Sequence, residues 1–372
     1  MKLYTAVLLL ILLAIGFSCS KSGGGSNGGS SNTGSGDTIL LNIGNNIILP
    51  SYQSLTVSVT SMDSAITDFN ASPSATKFAN VQSLFKTAYV AWEGASAYDY
   101  FGPAANAQPV LSGLNIFPTA TTVIDGNISS GNFNVNTFAN TAAKGFPALD
   151  YLLFGGGLTN YTTDAGAANR KQYLAAVSAD IKTEVSAVFN AWSAGGGNYI
   201  ATFVKGTGNS VSSSLGLLIN SLDEDFEILK NDRLGIPLGM IPVGTTSPVL
   251  PKEVEAYYSG ISVQLALAQL KAIQGIYLGT AGSGKGLGLV TYLVNAKAQY
   301  NGGQLSDTIT AAFAQDVTDL QAVPDPLSQT IQSNPSGAIA AFSQSQKLVA
   351  LLKTDMPSAL GVLITYGDND GD

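Results

Sequence analysis

The stretch YLAAVSADIKTEVSAVFNAW, residues 173–192, decides the fold class of this 372-residue chain. Its apolar residues recur at every third or fourth position, which places them on one face of an α-helix. The members of that face are Tyr173, Val177, Ile181, Val185, Val188 and Trp192. Three glycines at 195–197 then predict where the helix ends.

The same spacing recurs along most of the chain, and long strand signals are absent. Further helices are predicted within 79–100, 211–229, 251–278, 287–299, 305–321 and 336–353. The sequence therefore predicts an all-α fold of antiparallel helical bundles. We expect two bundle domains, 39–205 and 206–360, which meet near the glycine-rich stretch 195–208 and are followed by an acidic tail at 361–372. The proline-rich connection 233–251 is long for a bundle, and connections of that length often carry function.

The composition excludes several kinds of chemistry. The chain has no histidine and one cysteine, so it cannot form a Ser-His-Asp triad, an HExxH zinc site or an intrachain disulfide. Carboxylate chemistry remains, either as acid–base catalysis by paired acids or as an oxygen-ligand site for a hard cation. A net charge of −8 argues against a nucleic-acid partner.

The N-terminus predicts export from the cell. A positively charged start is followed by a short apolar run, residues 3–17, and then by the single cysteine, Cys19. This start resembles a bacterial lipoprotein signal peptide, residues 1–18, in which Gly16 replaces the usual leucine; the resemblance implies a lipid anchor on Cys19. An ordinary secretory signal with an incidental cysteine is the alternative. Residues 19–38, rich in Gly, Ser and Asn, predict a flexible tether between the membrane and the folded body.

Two glycine- or acid-rich motifs have simple structural alternatives. Residues 279–286 are similar to a phosphate-binding P-loop, but Gly286 stands where a metal-binding Ser or Thr is required, which favours a flexible loop. Residues 368–372 look like the start of a calcium loop, but the given sequence stops before the later ligands. A solvated acidic tail explains this end of the sequence better.

An acidic run lies in the helix predicted at 211–229. Asp223 and Glu227 are four residues apart and share a helix face, which makes them candidate metal ligands; a solvated surface is the alternative. Arg233 follows beside the proline-rich connection, where it can clamp an anion or pair with these acids.

The stretch GFPALDYLLFG, residues 145–155, has the most informative pattern. Pro147 suits the first position of a helix, and Asp150 near the first turn would offset the positive helix end. Leu149, Leu152 and Leu153 would face the core. Taken alone, these features describe a well-capped helix.

That stretch resembles the signature of the imelysin-like family, Gly-x-His-x-x-Glu followed by an aromatic residue and a leucine-rich turn that ends in glycine. Other segments agree with the family in order, namely 91–93 leading to 101–103, 231–238, and 270–279 before Gly288-Leu289. The resemblance implies an all-helical protein of two bundle-like domains with a site at their interface near the signature. It also implies a secreted or lipid-anchored envelope protein, a link to iron uptake, and the peptidase activity ascribed to the family.

The chain departs from the family at two signature positions, with Pro147 in place of histidine and Asp150 in place of glutamate. Proline offers no metal-binding atom, so a histidine-dependent metallopeptidase is not expected. Asp150 keeps a carboxylate and stays a candidate ligand for a metal or a polar molecule. The candidate ligand-binding residues are Gly145, Pro147, Asp150, Trp92, Glu93, Asp99 and Arg233, of which the last four have structural packing as their alternative role.

The leading hypothesis is a non-catalytic, lipid-anchored binding protein of the bacterial cell envelope that acts in iron or other nutrient uptake. We expect it on a membrane, the outer membrane being favoured, facing the periplasm or the cell surface, with envelope uptake proteins as partners and an iron or calcium ion as a candidate cofactor. One alternative is a carboxylate-dependent hydrolase of glycans or peptides, whose two acids would face each other across about 5–10 Å. Another is a glycan-binding surface lipoprotein with exposed aromatic residues along a cleft.

Overall fold

The computed structural model describes residues 35–106, 111–245, 247–280 and 286–366. The predicted signal peptide, the lipid anchor on Cys19, most of the tether, the core of the P-loop-like motif and the calcium-loop-like end lie outside the described residues. Within these described ranges, no helix has the length and apolar character needed to cross a membrane.

Nine α-helices form the first half of the described chain. They are α1 Gly36–Ile43, α2 Leu49–Ala71, α3 Ala75–Glu93, α4 Gly102–Asn106, α5 Thr121–Ser130, α6 Gly145–Phe154, α7 Thr159–Thr162, α8 Ala167–Trp192 and α9 Tyr199–Lys205. Short 3₁₀ turns occupy Ser96–Tyr98, Leu111–Leu114 and Phe138–Ala143. Helix α2 packs against both α3 and α8. The whole predicted apolar face of α8 is buried, which confirms that prediction.

In the second half of the chain, the described residues form eight α-helices and two short strands. They are α10 Ser214–Ile228, α11 Ile236–Leu238, α12 Ser262–Leu278, α13 Leu289–Ala296, α14 Leu305–Gln321, α15 Leu327–Ser333, α16 Ser336–Ala350 and α17 Met356–Leu360, with β1 Gln299–Tyr300 antiparallel to β2 Gly303–Gln304. Helix α14 packs against α16, and α12 contacts both α14 and α3. The all-α prediction is confirmed, and α12 joins the two halves of the chain. The division into domains at residue 205 stays a prediction.

Three π-helical turns interrupt the helices of the described chain, and each ends two residues before a proline. They span Gly44–Ile48, Leu229–Gly235 and Leu351–Asp355. Pro50, Pro237 and Pro357 follow them. Proline has no N–H group and its ring collides with the carbonyl four residues earlier, so a wider turn accommodates the ring. The middle π turn contains Arg233.

The helix predicted from residue 251 begins only at Ser262, so that prediction is wrong at its start. Residues 251–260 form a series of turns instead. Ala256 and Gly260 adopt left-handed backbone conformations, with φ of 50° and 64°, which an α-helix cannot contain. The predicted helix is therefore replaced by a structured loop that leads into α12.

Two other boundaries differ from the expected ones. Helix α1 begins at Gly36, inside the expected tether 19–38, because Ile39, Leu40 and Ile43 bury their side chains in the core. The glycine-rich stretch 195–208 contains helix α9, which the turn residues around it concealed.

Candidate functional site

Helix α6, which carries the signature, is fixed at its first residue. Gly145 has φ of +77°, and a Cβ atom there would collide with the backbone of Leu114, so this position requires glycine. The preceding Lys144 is buried, and its ammonium group lies 2.9 Å from the carboxylate of Asp180 on α8. The start of the signature helix is thus tied to the longest helix of the fold.

Pro147 and Asp150 line a cavity of about 460 Å³, which we call the first cavity. Pro147 is the third residue of α6, so its predicted place at the first helical position is wrong, and Asp150 is the sixth residue, just beyond the first turn. Its two carboxylate oxygens accept hydrogen bonds from the backbone N–H groups of Tyr258 and Ser259, at 2.9 and 3.0 Å. Asp150 therefore holds the loop 251–260 against the signature helix.

Burial raises the pKa of Asp150 to about 6, although hydrogen bonds from Ser259 and Tyr258 act in the opposite direction. The carboxylate is ionised at neutral pH and takes up a proton in mildly acidic solution. Asp150 can consequently act as an acceptor, or as a proton donor, for a molecule in the first cavity.

The rest of the first cavity combines aromatic rings with polar groups. Its other lining residues are Phe117, Pro118, Thr119, Thr121, Lys252, Glu253, Val254, Ala256, Tyr257 and Tyr258. Tyr257 and Tyr258 are partly exposed, and their ring centres lie 5.1 Å apart. Aromatic faces beside hydroxyl and carboxylate groups suit a small organic molecule that stacks and forms hydrogen bonds.

A second cavity, of about 240 Å³, shares Phe117 with the first. Its other lining residues are Trp92, Ser96, Asp99, Tyr100, Asn115, Ile116, Asp225, Ile228, Asp232 and Arg233. The structure thus places the candidates Trp92, Asp99 and Arg233 around one cavity, while Pro147 and Asp150 line its neighbour.

Arg233 is the centre of a buried polar cluster beside the second cavity. Its guanidinium group contacts the carboxylate of Glu93 and the side-chain oxygen of Gln269, and its Nε lies 3.1 Å from Oε2 of Glu255. Burial lowers the pKa of Arg233, but the negative charges of Glu255 and Glu93 raise this pKa by more than burial lowers it. The guanidinium group therefore stays charged. Arg233 is predicted to pair with the acidic run on α10, but its ion-pair partners are Glu93 and Glu255, which lie outside that run.

Sequence reasoning missed Glu255 and Tyr89 as members of this cluster. Oε1 of Glu255 accepts hydrogen bonds from the Tyr89 hydroxyl at 3.1 Å and from Asn115 Nδ2 at 2.7 Å. Tyr89 lies four residues before Glu93 and shares its helix face, which was an available signal. Glu255 lies in the segment assigned to a helix, where nothing in the local pattern indicated a buried acid.

The acidic run on α10 is buried, so its interpretation as a solvated surface is wrong. Asp223, Asp225 and Glu227 are 2%, 1% and 5% exposed. Glu227 lies 2.8 Å from the ammonium of Lys230 and 3.3 Å from that of Lys353. Burial raises the pKa of Asp223, and the nearby Glu227 adds to the effect.

A bare metal ion does not match this set of groups. Among the described residues, no three His, Cys, Asp or Glu side chains are grouped so that they could hold a metal. Both oxygens of Asp150 are engaged by backbone N–H groups, Pro147 has no donor atom, and Glu227 faces two ammonium groups. The metal roles predicted for Asp150, Asp223 and Glu227 stay predictions. The described residues place no suitable set of metal ligands around any of these three acids.

This protein is thus an all-α protein with a polar site where several of its helices meet. The sequence model of the imelysin family matches residues 48–354. The chain belongs to the imelysin family, as its signature segments predicted. No curated protein matches the sequence.

Solved structures of two bacterial proteins are among those that share this fold. One is a candidate iron-regulated protein A precursor from Parabacteroides distasonis ATCC 8503, with 16% sequence identity and a TM-score of 0.71 over 89% of this chain and 96% of that chain. The other is an imelysin-like protein from Psychrobacter arcticum 273-4, with 16% identity and a TM-score of 0.67 over 91% of this chain and 98% of that chain. At these identities the similarity establishes the fold.

Proposed function

We propose that this chain is a lipid-anchored binding protein of the bacterial cell envelope, without catalytic activity, that acts in the uptake of a small nutrient or of iron carried in an organic complex. The first cavity receives the ligand. The iron part of the proposal draws on the structural neighbour named as an iron-regulated protein, and the anchor draws on Cys19 and its signal-like surroundings.

One observation carries the binding function: the family signature lines a cavity, yet it has lost the histidine. Pro147 and Asp150 both form part of the wall of the first cavity. Proline can shape that wall but cannot bind a metal or transfer a proton, and no histidine exists elsewhere in the chain. A signature that lines a cavity but lacks this reactive group favours binding over catalysis.

Titration calorimetry on the mature chain tests this proposal, with glucose, galactose and N-acetylglucosamine as organic probes and ferrous, ferric and calcium ions as metal probes. We expect heat from an organic probe that is lost in Asp150→Ala and Tyr258→Ala and kept in Asp164→Ala, an exposed aspartate away from the cavity. Saturable heat from a free ion that disappears in Asp150→Ala would replace this proposal with a metal-binding one. Organic-probe heat that is unchanged by the first two variants would overturn the assignment to the first cavity.

The lipid anchor has its own test. Mass spectrometry of the N-terminal peptide from the membrane fraction should show a diacylglyceryl group on Cys19. An unmodified Cys19, or a chain that still begins at Met1, would contradict the anchor while leaving the binding site untouched.

A carboxylate-dependent hydrolase is the second candidate, because Asp150 and Glu253 line the same cavity and Asp150 has a pKa of about 6. A carboxyl group with such a pKa suits a general acid. If the chain cleaves glycans, the release of reducing ends should fall at least about a hundredfold in Asp150→Asn and Glu253→Gln. If the wild-type chain releases no more reducing ends than the two variants do, this candidate is excluded.

A further inference from the structure

The wall of the second cavity holds more negative than positive charge. Asp99, Asp225 and Asp232 line it, and Arg233 is the only cation among its described lining residues. That cation is already matched by the two glutamates of the buried polar cluster. Arg233 therefore cannot also neutralise Asp225 and Asp232, and a bound cation would lower the cost of burying these two carboxylates.

Aromatic rings lie beside these acids. Trp92, Tyr100 and Phe117 contribute to the same wall. Trp92 is only 3% exposed, and its indole Nε1–H has no hydrogen-bond partner among the described residues. A buried donor without a partner is uncommon, and a ligand with an acceptor atom could satisfy it. Carboxylates together with aromatic faces are the groups that recognise organic cations.

The size of the second cavity limits the ligand. Its volume of about 240 Å³ is roughly half that of the first cavity, so it suits a small molecule. Its acids are not grouped as metal ligands, as they would be around a compact metal ion. An extended molecule, with its positive end near the aspartates and another part against the rings, matches these separated groups better.

We propose that the second cavity binds a small organic cation, an amine that also carries a hydrogen-bond acceptor for the indole N–H of Trp92. Asp225 and Asp232 stabilise the positive charge, and the aromatic rings hold the apolar part of the ligand. This proposal goes beyond the binding function proposed above, because it assigns a second site with its own ligand class beside the first cavity.

Ser96 and Gln269 hold Asp225 in place for this role. Oδ2 of Asp225 accepts a hydrogen bond from the Ser96 hydroxyl at 3.1 Å, and its backbone oxygen accepts one from Gln269 Nε2 at 2.9 Å. Because Gln269 also contacts Arg233, the acid is connected to the buried polar cluster. Asp225 is thus held both at its carboxylate and at its backbone oxygen, which preorganises it as a partner for a cation.

A matched series of linear probes tests the proposal by titration calorimetry on the mature chain. The probes are 5-amino-1-pentanol, which has a cation and an acceptor; cadaverine, which has cations only; and 1,5-pentanediol, which has no charge. We expect saturable binding of the first two and none of the diol, with 5-amino-1-pentanol the tighter ligand. Equal binding of the diol, or no binding of either amine, would overturn the proposal.

Variants then locate the ligand. Asp225→Asn should weaken both amines at least about tenfold, whereas Trp92→Phe, which keeps a ring but loses the N–H donor, should weaken 5-amino-1-pentanol by about fivefold and leave cadaverine unchanged. Asp164→Asn, an exposed control, should change neither. Circular dichroism and thermal unfolding verify that each variant folds. If Asp225→Asn does not fold, Trp92→Phe still tests the proposal.

The outcomes also separate this proposal from the binding function proposed for the first cavity. Amine binding that survives Asp225→Asn but is lost in Asp150→Ala would place the ligand in the first cavity, which overturns this proposal and supports the earlier one. Sugar binding that depends on Asp150, with no amine binding at all, would also overturn the amine proposal and support the first-cavity proposal.

Discussion

Arg233 is the residue on which the buried polar cluster depends. It lies in the π turn before Pro237, is 4% exposed, and joins Glu93 on α3 to Glu255 in the loop 251–260. A buried ion pair adds little net stability over apolar packing, because both charges lose their hydration. Removing one partner is costly, since the other charge remains buried without compensation.

Arg233→Met should therefore lower the free energy of unfolding by about 3–5 kcal/mol, because it leaves two buried glutamates without their cation. Chemical denaturation followed by circular dichroism measures this change. Lys77→Met is the matched control, since its ion pair with Asp68 is solvent-exposed and should cost at most about 1 kcal/mol. Equal losses in the two variants would show that the buried cluster does not hold the site together.

Gly145→Ala tests the backbone at the start of the signature helix. The φ of +77° and the clash of a Cβ atom with Leu114 predict a loss of about 1–3 kcal/mol or more. Gly126→Ala in helix α5 is the control, because its Cβ would meet open space; it should be neutral or stabilise by up to about 1 kcal/mol. Thermal unfolding of both variants gives the comparison, and a tolerated Gly145→Ala would contradict the need for glycine.

At the scale of the elements, helices with a clear apolar face were predictable and the loop that completes the site was not. The face of α8 could be identified from spacing alone because each of its members meets the core. The loop 251–260 contains apolar and charged residues that also fit a helix. What keeps it from being a helix is tertiary, since Asp150 holds Tyr258 and Ser259 and other loop groups bond to distant residues.

Helix α12 begins after that loop because an acid from another part of the chain caps it. The carboxylate of Asp325 accepts hydrogen bonds from the N–H groups of Val263 and Gln264, at 2.9 and 3.0 Å. Such a cap satisfies two N–H groups that have no partner within the helix.

Asp325→Ala should lower the free energy of unfolding by about 1–2 kcal/mol, because both N–H groups lose their acceptor. Urea denaturation measures the loss, with the exposed Asp164→Ala as the control, for which we expect about 0.5 kcal/mol or less. If Asp325→Ala behaves like its control, the start of α12 is fixed by packing and not by this cap.

At the scale of the whole molecule, several acids are buried in a chain that has only 11% charged residues. Burial raises the pKa of Asp150 and Asp225 to about 6 and that of Asp316 to about 7, from an ordinary value of 3.8. The folded chain therefore holds protons that the unfolded chain releases between about pH 4 and pH 7.

The free energy of unfolding should consequently fall as the pH rises through this window. A shift of about two pKa units corresponds to about 3 kcal/mol for one carboxyl group, so the combined effect is measurable even if the contributions are not additive. Urea denaturation at pH 5 and pH 8 tests the sign, and Asp316→Asn should flatten the dependence. A free energy of unfolding that rises from pH 5 to pH 8 would contradict the predicted sign of this pH dependence.

The family and the fold class followed from the sequence because they depend on local segments. The two cavities did not, because they need the junction of α3, α6 and α10 with loops that are far apart in the chain. Trp92, Asp99 and Arg233 were identified through the family resemblance, and only the structure shows that they surround one cavity. The buried state of Asp225 could not be predicted either, since its neighbours in sequence suggest a solvated surface.

The central claim is that the signature site binds its ligand without histidine and without a bare metal ion. Anomalous scattering at the iron edge, from crystals of the mature chain equilibrated with ferrous or ferric salt, tests this claim most directly. We expect no ordered iron at the Asp150 carboxylate, because both its oxygens are held by backbone N–H groups and Pro147 supplies no ligand. An anomalous peak at coordination distance from Asp150 would contradict the claim.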